Sequence, residues 1–462
     1  MAYGHTISAI STPSGKGGVA IIRISGEDAL SILKAIFVPR GGTMPSDAPR
    51  MQIFGDILLG GDKIDDGLAT YFPAPKSYTG EDVVEISCHG GVLVTQLVLE
   101  ATLRAGARIA EAGEFTKRAF INGRLSLTEA EGVGELLEAK SLAEVKLSSP
   151  VSRSVLSERI EEIRAALTGV LSSTYARIDY PDEDLGEYTD EESCERLKNI
   201  REKIADLLST YPTGKAISEG VRTVICGKPN VGKSTLYNAI LGEDAAIVTD
   251  IEGTTRDILS TTVPLGNVLL RLSDTAGVRD KERAETVERI GIEKSLSAID
   301  SAELIIAVFD SSRKLSEDDE NLIERIRCTK CAKIAILNKS DIKHSESRFD
   351  FDEIFDKTLT VSLKCGETSA VKELSDAVSS LFINEKISIG NDAIISSARH
   401  SAALSKALLC TDAAIDAYSR GVFTDAAASV VEGALSAIAE IDGRAVSEEV
   451  VSDIFSKFCV GK

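Results

Sequence analysis

No apolar run in this 462-residue chain approaches the roughly 18–20 residues needed to cross a bilayer. The first residues, Met1-Ala2-Tyr3-Gly4-His5, lack the basic region and apolar stretch of a secretory leader. The eight cysteines are scattered. Cys328 and Cys331 have C-x-x-C spacing, but no second ligand pair stands near to complete a zinc site, so they read as reduced thiols. Together these absences point to the cytoplasm. A basic surplus is missing too: 52 Lys and Arg face 72 Asp and Glu, a net charge of −20. That excludes broad electrostatic attraction to nucleic acid, while leaving room for a local basic patch. Internal repeats and low-complexity tracts are also absent.

What is present describes a globular protein. Hydrophobic residues make up 43% of the chain and charged residues 27%, enough for a sizeable core. The length predicts more than one domain, with two or three the natural number. Nine carboxylates fall between Asp179 and Glu195 with no Lys or Arg among them, and Pro181 and Gly186 interrupt them. This stretch reads as a solvated loop between helices.

The most informative segment is Gly227-Lys228-Pro229-Asn230-Val231-Gly232-Lys233-Ser234, a G-x-x-x-x-G-K-[ST] P-loop. Val224-Ile225-Cys226 reads as the strand feeding it and Thr235 to Leu241 as the helix leaving it. Glycines let backbone N–H groups turn toward phosphates, Lys233 brings a cation to the β/γ-phosphates, and the Ser234 hydroxyl can hold Mg²⁺. Further signals follow in order. A strand ends at Asp274-Thr275-Ala276-Gly277, where Asp274 can reach the Mg²⁺ shell and the Gly277 N–H a γ-phosphate. A buried strand, Leu304 to Phe309, ends at Asp310, and another ends at Asn338-Lys339-Ser340-Asp341. That N-K-x-D quartet selects guanine: Asp341 can accept from the ring N–H and the exocyclic amine, a pair that adenine lacks. The Lys339 stem can lie over the purine. Ser362-Leu363-Lys364 fits the last base-contacting loop, with Leu363 where GTPases usually carry Ala.

The fold class expected is multidomain, α/β and α+β. Residues 1–120 mix β-rich segments with glycine loops and read as α+β. Residues 121–217 carry helical spacing, as in Leu136, Leu137, Lys140, Glu144, Leu147 and then Val155, Ile160, Ile163, Leu167. A Ras-like P-loop GTPase domain spans 218–384, and residues 385–462 are again Ala-rich and helical. The simplest topology inserts the GTPase between two halves of one all-α domain.

Several segments resemble the tRNA wobble-uridine modification GTPase family (MnmE, also called TrmE). They are Thr12 to Gly26, Tyr78-Thr79-Gly80-Glu81-Asp82, Cys88-His89-Gly90-Gly91, Gly113 to Phe120, Ile247 to Asp257, and the closing Phe458-Cys459-Val460-Gly461-Lys462. The resemblance implies an N-terminal folate-binding and dimerising domain, a helical domain and an inserted G domain. It implies a homodimer that joins a flavin-dependent partner in a heterotetramer and works on tRNA. The expected product carries an aminomethyl-type or carboxymethylaminomethyl group at C5 of the wobble uridine. A tetrahydrofolate derivative such as 5-formyltetrahydrofolate is the implied one-carbon source, contacted by Arg23, Glu81, Arg124 and Lys462. On their own, Arg23 reads as a salt-bridged strand residue and Glu81 as a solvated turn residue. Cys459 becomes a candidate in the chemistry; a C-a-a-X lipidation reading fails on Gly461 and Lys462. His89 reads either as catalytic or as a hydrogen-bonded structural histidine.

For the nucleotide, the resemblance implies contacts from Asn230, Val231, Gly232, Lys233, Ser234 and Thr235, and from Thr249, Asp250, Ile251, Glu252, Gly253, Thr254 and Thr255. Asp274, Thr275, Ala276, Gly277, Asn338, Lys339, Asp341, Ser362, Leu363 and Lys364 complete the set. Ser234 and Thr255 would hold Mg²⁺. Val278 occupies the place where Ras-like enzymes carry a water-orienting Gln, and only Arg256 and Arg279 offer themselves as a finger. The family places K⁺ between Asn230, the backbone oxygens of Thr249 and Ile251, and Thr254, and Glu288 matches its water-positioning acid. Two other classes stay open: a ribosome-assembly or RNA-binding switch GTPase, and a folate-dependent enzyme acting on a small molecule.

Overall fold

A computed structural model describes residues 4–179, 188–243, 260–273, 299–342, 350–420 and 424–461. The chain forms two compact units, Met1–Gly134 with Ile438–Lys462, and Glu135–Ala437. No helix among the described residues is long and apolar enough to cross a membrane.

The first unit is built on period-two strands. These are β1 (Ile7–Ile10), β2 (Val19–Ser25), β3 (Phe37–Pro39), β4 (Ile53–Leu59), β5 (Asp62–Phe72), β6 (Val83–His89) and β7 (Arg108–Ile109). They form one sheet in the order β3-β4-β5-β6-β2-β1-β7, antiparallel except for the parallel β1–β7 pair. Ala20, Ile22 and Ile24 of β2 face the core beside Cys88, Ile86 and Val84 of β6, and helices Ala29–Ile36 and Val92–Arg104 cover them. Alternation sends Arg23 and its cross-strand partner Glu85 to the opposite face.

The chain's last residues are part of this unit. After helix Glu448–Ser456, Val460 bridges to Ala112, the Gly113 N–H donates to the Cys459 carbonyl, and Ser11 Oγ donates to the Gly461 carbonyl at 3.1 Å. Gly461 has φ +96°, and a Cβ there would lie 2.3 Å from the Ile10 oxygen, so no other residue fits without a shift.

A buried ionic network sits behind this sheet. The Arg118 side chain is fully buried, and it donates to Glu81, to Glu114 and to the His5 carbonyl. Glu114 is paired in turn with Arg108. Two carboxylates therefore meet two guanidinium groups, which keeps the burial electrically balanced.

The second unit contains β8 (Val221–Cys226), β9 (Ser260–Leu265), β10 (Val268–Ser273), β11 (Leu304–Asp310), β12 (Ala332–Asn338) and β13 (Lys357–Thr360), in the order β13-β12-β11-β8-β10-β9. All neighbours are parallel except the β9–β10 hairpin. Leu304 to Phe309 is apolar at every position because helices lie on both faces. Leu304, Ile306 and Val308 pack with helices Lys233–Glu243 and Glu367–Phe382, while Ile305, Ala307 and Phe309 pack with helix Glu317–Arg327. Helices Pro150–Asp179, Asp190–Ser209 and Ala398–Ser419 pack together through stripes such as Leu156, Ile160, Ile163, Leu167 and Leu197, Ile200, Ile204, Leu207. Thr174 and Tyr418 close one end with a 2.5 Å hydroxyl pair.

Two sequence expectations change in detail. The helical run expected through Leu136, Leu137, Glu144 and Leu147 stops at Glu138 and restarts at Leu142. Ser141 and Glu144 form a capping box there, which nucleates a new helix, and Leu136 and Leu137 are left exposed. Part of the acidic stretch is helical rather than loop: Asp190, Glu191 and Glu192 fill the first turn of helix Asp190–Ser209 behind a Thr189 cap, where they suit the helix dipole. Residues 180–187 of that stretch lie outside the described residues.

The network predicts an acid response. Burial pushes the Glu114 carboxyl up, but hydrogen bonds from Arg108, the Glu111 N–H and Arg118 outweigh this and leave it below its ordinary value. Its stabilising contribution is therefore full above the unfolded value of about 4.3 and is lost as pH falls through the lower folded value. Glu114→Gln should destabilise the first unit by about 3–5 kcal/mol at pH 7. It should also lose less stability than the wild type between pH 5 and 3. Melting curves across that range test this, and parallel declines for the two proteins would refute it.

Candidate functional site

The loop between β8 and helix Lys233–Glu243 is shaped by residues that tolerate positive φ. Gly227 has φ +141°, Asn230 +62° and Gly232 +113°. A Cβ on Gly232 would lie 2.2 Å from Asn338 Nδ2, so close approach as well as backbone conformation demands glycine. Val231 is buried and anchors the loop, while Asn230, Ser234 and Thr235 are exposed around its mouth. Lys233 Nζ folds back to donate to the carbonyls of Gly227 (2.5 Å) and Lys228 (2.9 Å). Burial pushes its pKa down, so an arriving anion would relieve an unfavourable charge. The helix start adds N–H groups without intrahelical acceptors, a ready phosphate site.

Asn338 ties this loop to two others. Its Nδ2 donates to the Val231 carbonyl at 2.7 Å and its Oδ1 accepts from the Leu363 N–H at 3.0 Å. Ser340 N–H donates to the Val361 carbonyl at 3.1 Å. Asp341 is exposed, and Ser362 Oγ donates to its Oδ1 at 2.7 Å. That hydrogen bond, the largest influence, holds the carboxyl below its ordinary value, so it is a charged acceptor at neutral pH. Leu363 replaces the usual small residue by turning its side chain into the sheet core, while Lys364 is exposed. The structure thus brings Asn230 to Thr235, Asn338 to Asp341 and Ser362 to Lys364 around one mouth. Thr249, Asp250, Ile251, Glu252, Gly253, Thr254, Thr255, Arg256, Asp274, Thr275, Ala276, Gly277, Val278, Arg279 and Glu288 lie outside the described residues.

Sequence reasoning passed over Asp310 as a mere strand end. Its side chain is almost buried, and its Oδ2 accepts from Lys339 Nζ at 2.7 Å. Burial raises the Asp310 carboxyl, but Lys339 and Ser312 outweigh this and keep it below its ordinary value. The available signal was a carboxylate closing an otherwise wholly apolar strand.

A second cluster lies in the first unit. Arg23 pairs with Glu85 at 2.8 Å, and its guanidinium carbon lies 5.3 Å from the Tyr78 ring centre and 5.7 Å from that of Phe115. Glu81 is not solvated: it accepts from Ser25 Oγ at 2.7 Å and from Arg118 at 3.0 Å. Gly80, with φ +81°, turns the loop so that the exposed Arg124 packs its stem beside it. Arg23, Tyr78, Glu81 and Arg124 thus gather about one loop. Cys459 is exposed, and Lys462 lies outside the described residues. His89 stands apart from them. Its Nδ1 pairs with Asp65 at 2.7 Å, which raises its pKa, and its backbone N–H donates to the same carboxylate, as a structural histidine would. Asp66 lies close enough to share a metal with them, but Lys63 and Arg40 already neutralise it.

The family profile described as the GTP-binding protein TrmE N-terminus matches residues 6–124, and the MnmE helical domain matches residues 127–459. A tRNA modification GTPase MnmE from Clostridioides difficile is 38% identical over 99% of both chains. Proteins of the same name from Acetivibrio thermocellus and Thermotoga petrophila are 37% and 40% identical, the first over 99% of both chains and the second over 99% of this chain and 100% of its own. With a P-loop, an N-K-x-D loop and end-to-end similarity of this kind, the chain belongs to the MnmE (TrmE) family of tRNA modification GTPases.

Proposed function

We propose that this protein hydrolyses GTP to drive modification of wobble uridine in tRNA, joining a flavin-dependent partner to add an aminomethyl or carboxymethylaminomethyl group at C5. The convergence of three loops on Asn338 carries the GTP half of this reading. Lys233 would release the carbonyls of Gly227 and Lys228 to meet the phosphates, and Asp341 would accept the paired donors of guanine. Ser234 offers an exposed hydroxyl at the loop mouth, which fits Mg²⁺, and Thr255 and Asp274 are proposed from the sequence as its companions there. Bound there, Mg²⁺ neutralises phosphate charge. A G domain of residues 218–384, inserted in a helical domain of residues 121–217 and 385–462, is supported by helix Asp190–Ser209 packing on helix Ala398–Ser419 from the two sides of the G domain in sequence, while residues 121–134 and 438–462 group with the first unit. We read the assembly as a cytoplasmic homodimer. A direct test is mass analysis of tRNA nucleosides from cells lacking the protein: C5-modified wobble uridines should disappear. Unchanged nucleosides would leave a switch GTPase or a small-molecule enzyme as the function.

Potassium is the proposed answer to the missing water-orienting glutamine. Asn230, exposed and held at φ +62°, presents a carboxamide at the loop tip, which fits an oxygen ligand for a monovalent cation with Thr249, Ile251 and Thr254. Charge held there would serve as a finger does, while Glu288 positions the attacking water. Turnover should fall at least tenfold when Na⁺ replaces K⁺ or when Asn230 becomes Ala, about 1.4 kcal/mol or more of barrier. Equal rates in the two salts would exclude this mechanism and return attention to Arg256 and Arg279.

The loop carrying Glu81 is the proposed folate site, supported by two cations near it, Arg23 over the Tyr78 ring and Arg124 beside Gly80. Full-length protein should bind 5-formyltetrahydrofolate, and Arg23→Ala should weaken binding about tenfold, as expected for loss of a charge-assisted bond. Calorimetric titration showing no heat with the folded wild type would remove folate from the scheme.

A further inference from the structure

The Lys339 side chain is fixed at both ends before any nucleotide arrives. Its backbone has φ +68°, a conformation that a lysine adopts only when surrounding structure imposes it. Strands β11 and β12 impose it: Asp310 lies opposite Asn338 in the parallel register, so the two strand ends stand side by side. Ser311 strengthens that junction by donating its N–H (2.9 Å) and its hydroxyl (2.8 Å) to the Asn338 carbonyl. At the far end, Lys339 Nζ meets Asp310 Oδ2 at 2.7 Å. Asp310 cannot swing freely, because its Oδ1 accepts from both the Ser312 hydroxyl (2.6 Å) and the Ser312 N–H (3.0 Å). Arg313 is a weaker neighbour, 3.7 Å from Oδ2.

A lysine side chain normally gives up considerable rotamer freedom when it is ordered by a ligand. Here that ordering is complete in the free protein, and the methylene stem between the two fixed ends is a ready apolar edge for a purine face. The ammonium is held by Asp310. We infer that Asp310 is a positioning residue for guanine-nucleotide binding, acting only through Lys339. Asp341 reads the edge of the base, and the Asp310–Lys339 pair readies its face. The inference rests on the GTP reading of this site.

The test is a double-variant cycle on the full chain, with GDP and GTP as probes and equilibrium binding as the readout. Asp310→Asn should weaken both nucleotides about tenfold, mainly through faster release, since the loss is of a pre-ordered contact. Lys339→Met should weaken them at least as much. In the Lys339→Met background, Asp310→Asn should then have no further effect, because its only route of action has been removed. Ser312→Ala keeps the charge but removes one of the two hydrogen bonds on Oδ1; it should give a smaller loss that also vanishes in that background, and it serves if Asp310→Asn does not fold. Additive losses would show Asp310 acting by another route and overturn the inference, as would wild-type affinity in Asp310→Asn. Failure of the wild type itself to bind GDP would instead overturn the nucleotide site, and this inference with it.

Discussion

One buried carboxamide organises the nucleotide end of this molecule. Asn338 gives its N–H to the P-loop and takes an N–H from the loop after β13, so three segments far apart in sequence share one rigid mouth. Each of those backbone groups would otherwise need another partner, and leaving one buried and unpaired costs about 1–3 kcal/mol. The same contact dictates the second glycine of the loop, since Asn338 fills the volume that a side chain at position 232 would need. It also sets where Lys339 and Asp341 begin, and hence what can be read there.

The two candidate sites use related means. Each presents a carboxylate steadied by a serine hydroxyl at 2.7 Å: Ser362 on Asp341, and Ser25 on Glu81. They differ in what stands behind. Asp341 is exposed and relies on the hydroxyl, whereas Glu81 is the outer member of the Arg118–Glu114–Arg108 network. The first site can therefore tolerate motion around its carboxylate, while the second has its charge locked into a core.

Legibility in the sequence followed the range of the interactions. The P-loop and the N-K-x-D quartet could be read directly because their chemistry is written in consecutive residues with special backbone needs. The central strands β11 and β12 announced themselves as apolar runs, whereas the edge strands β9 and β13 carry no such run. Glu81 read as solvated because its partners, Ser25 and Arg118, are 56 and 37 residues away. Arg23 read correctly as salt-bridged because strand alternation already placed it on a polar face. Asp310 carried no motif, and its role rests on a strand pairing that spacing alone does not reveal. The break after Glu138 was hidden because apolar periodicity continues across it, while Ser141 and Glu144, which cause it, look like ordinary helix residues.

The hydrogen bond from Ser11 to Gly461 joins residues 450 positions apart, and Val460 forms its bridge with Ala112. On a ribosome this order has a cost in time. The seven strands of the first unit emerge early, but the stretch that completes their edge is made only after the entire second unit has been synthesised. Helix Glu448–Ser456, whose Val451 and Phe455 pack on Leu127 and Ala130, arrives equally late. The first unit must therefore wait, incompletely sealed and with apolar surface open, while some 300 residues of other structure form. Translation speed through the second unit thus sets how long that surface is available to chaperones or to neighbouring nascent chains.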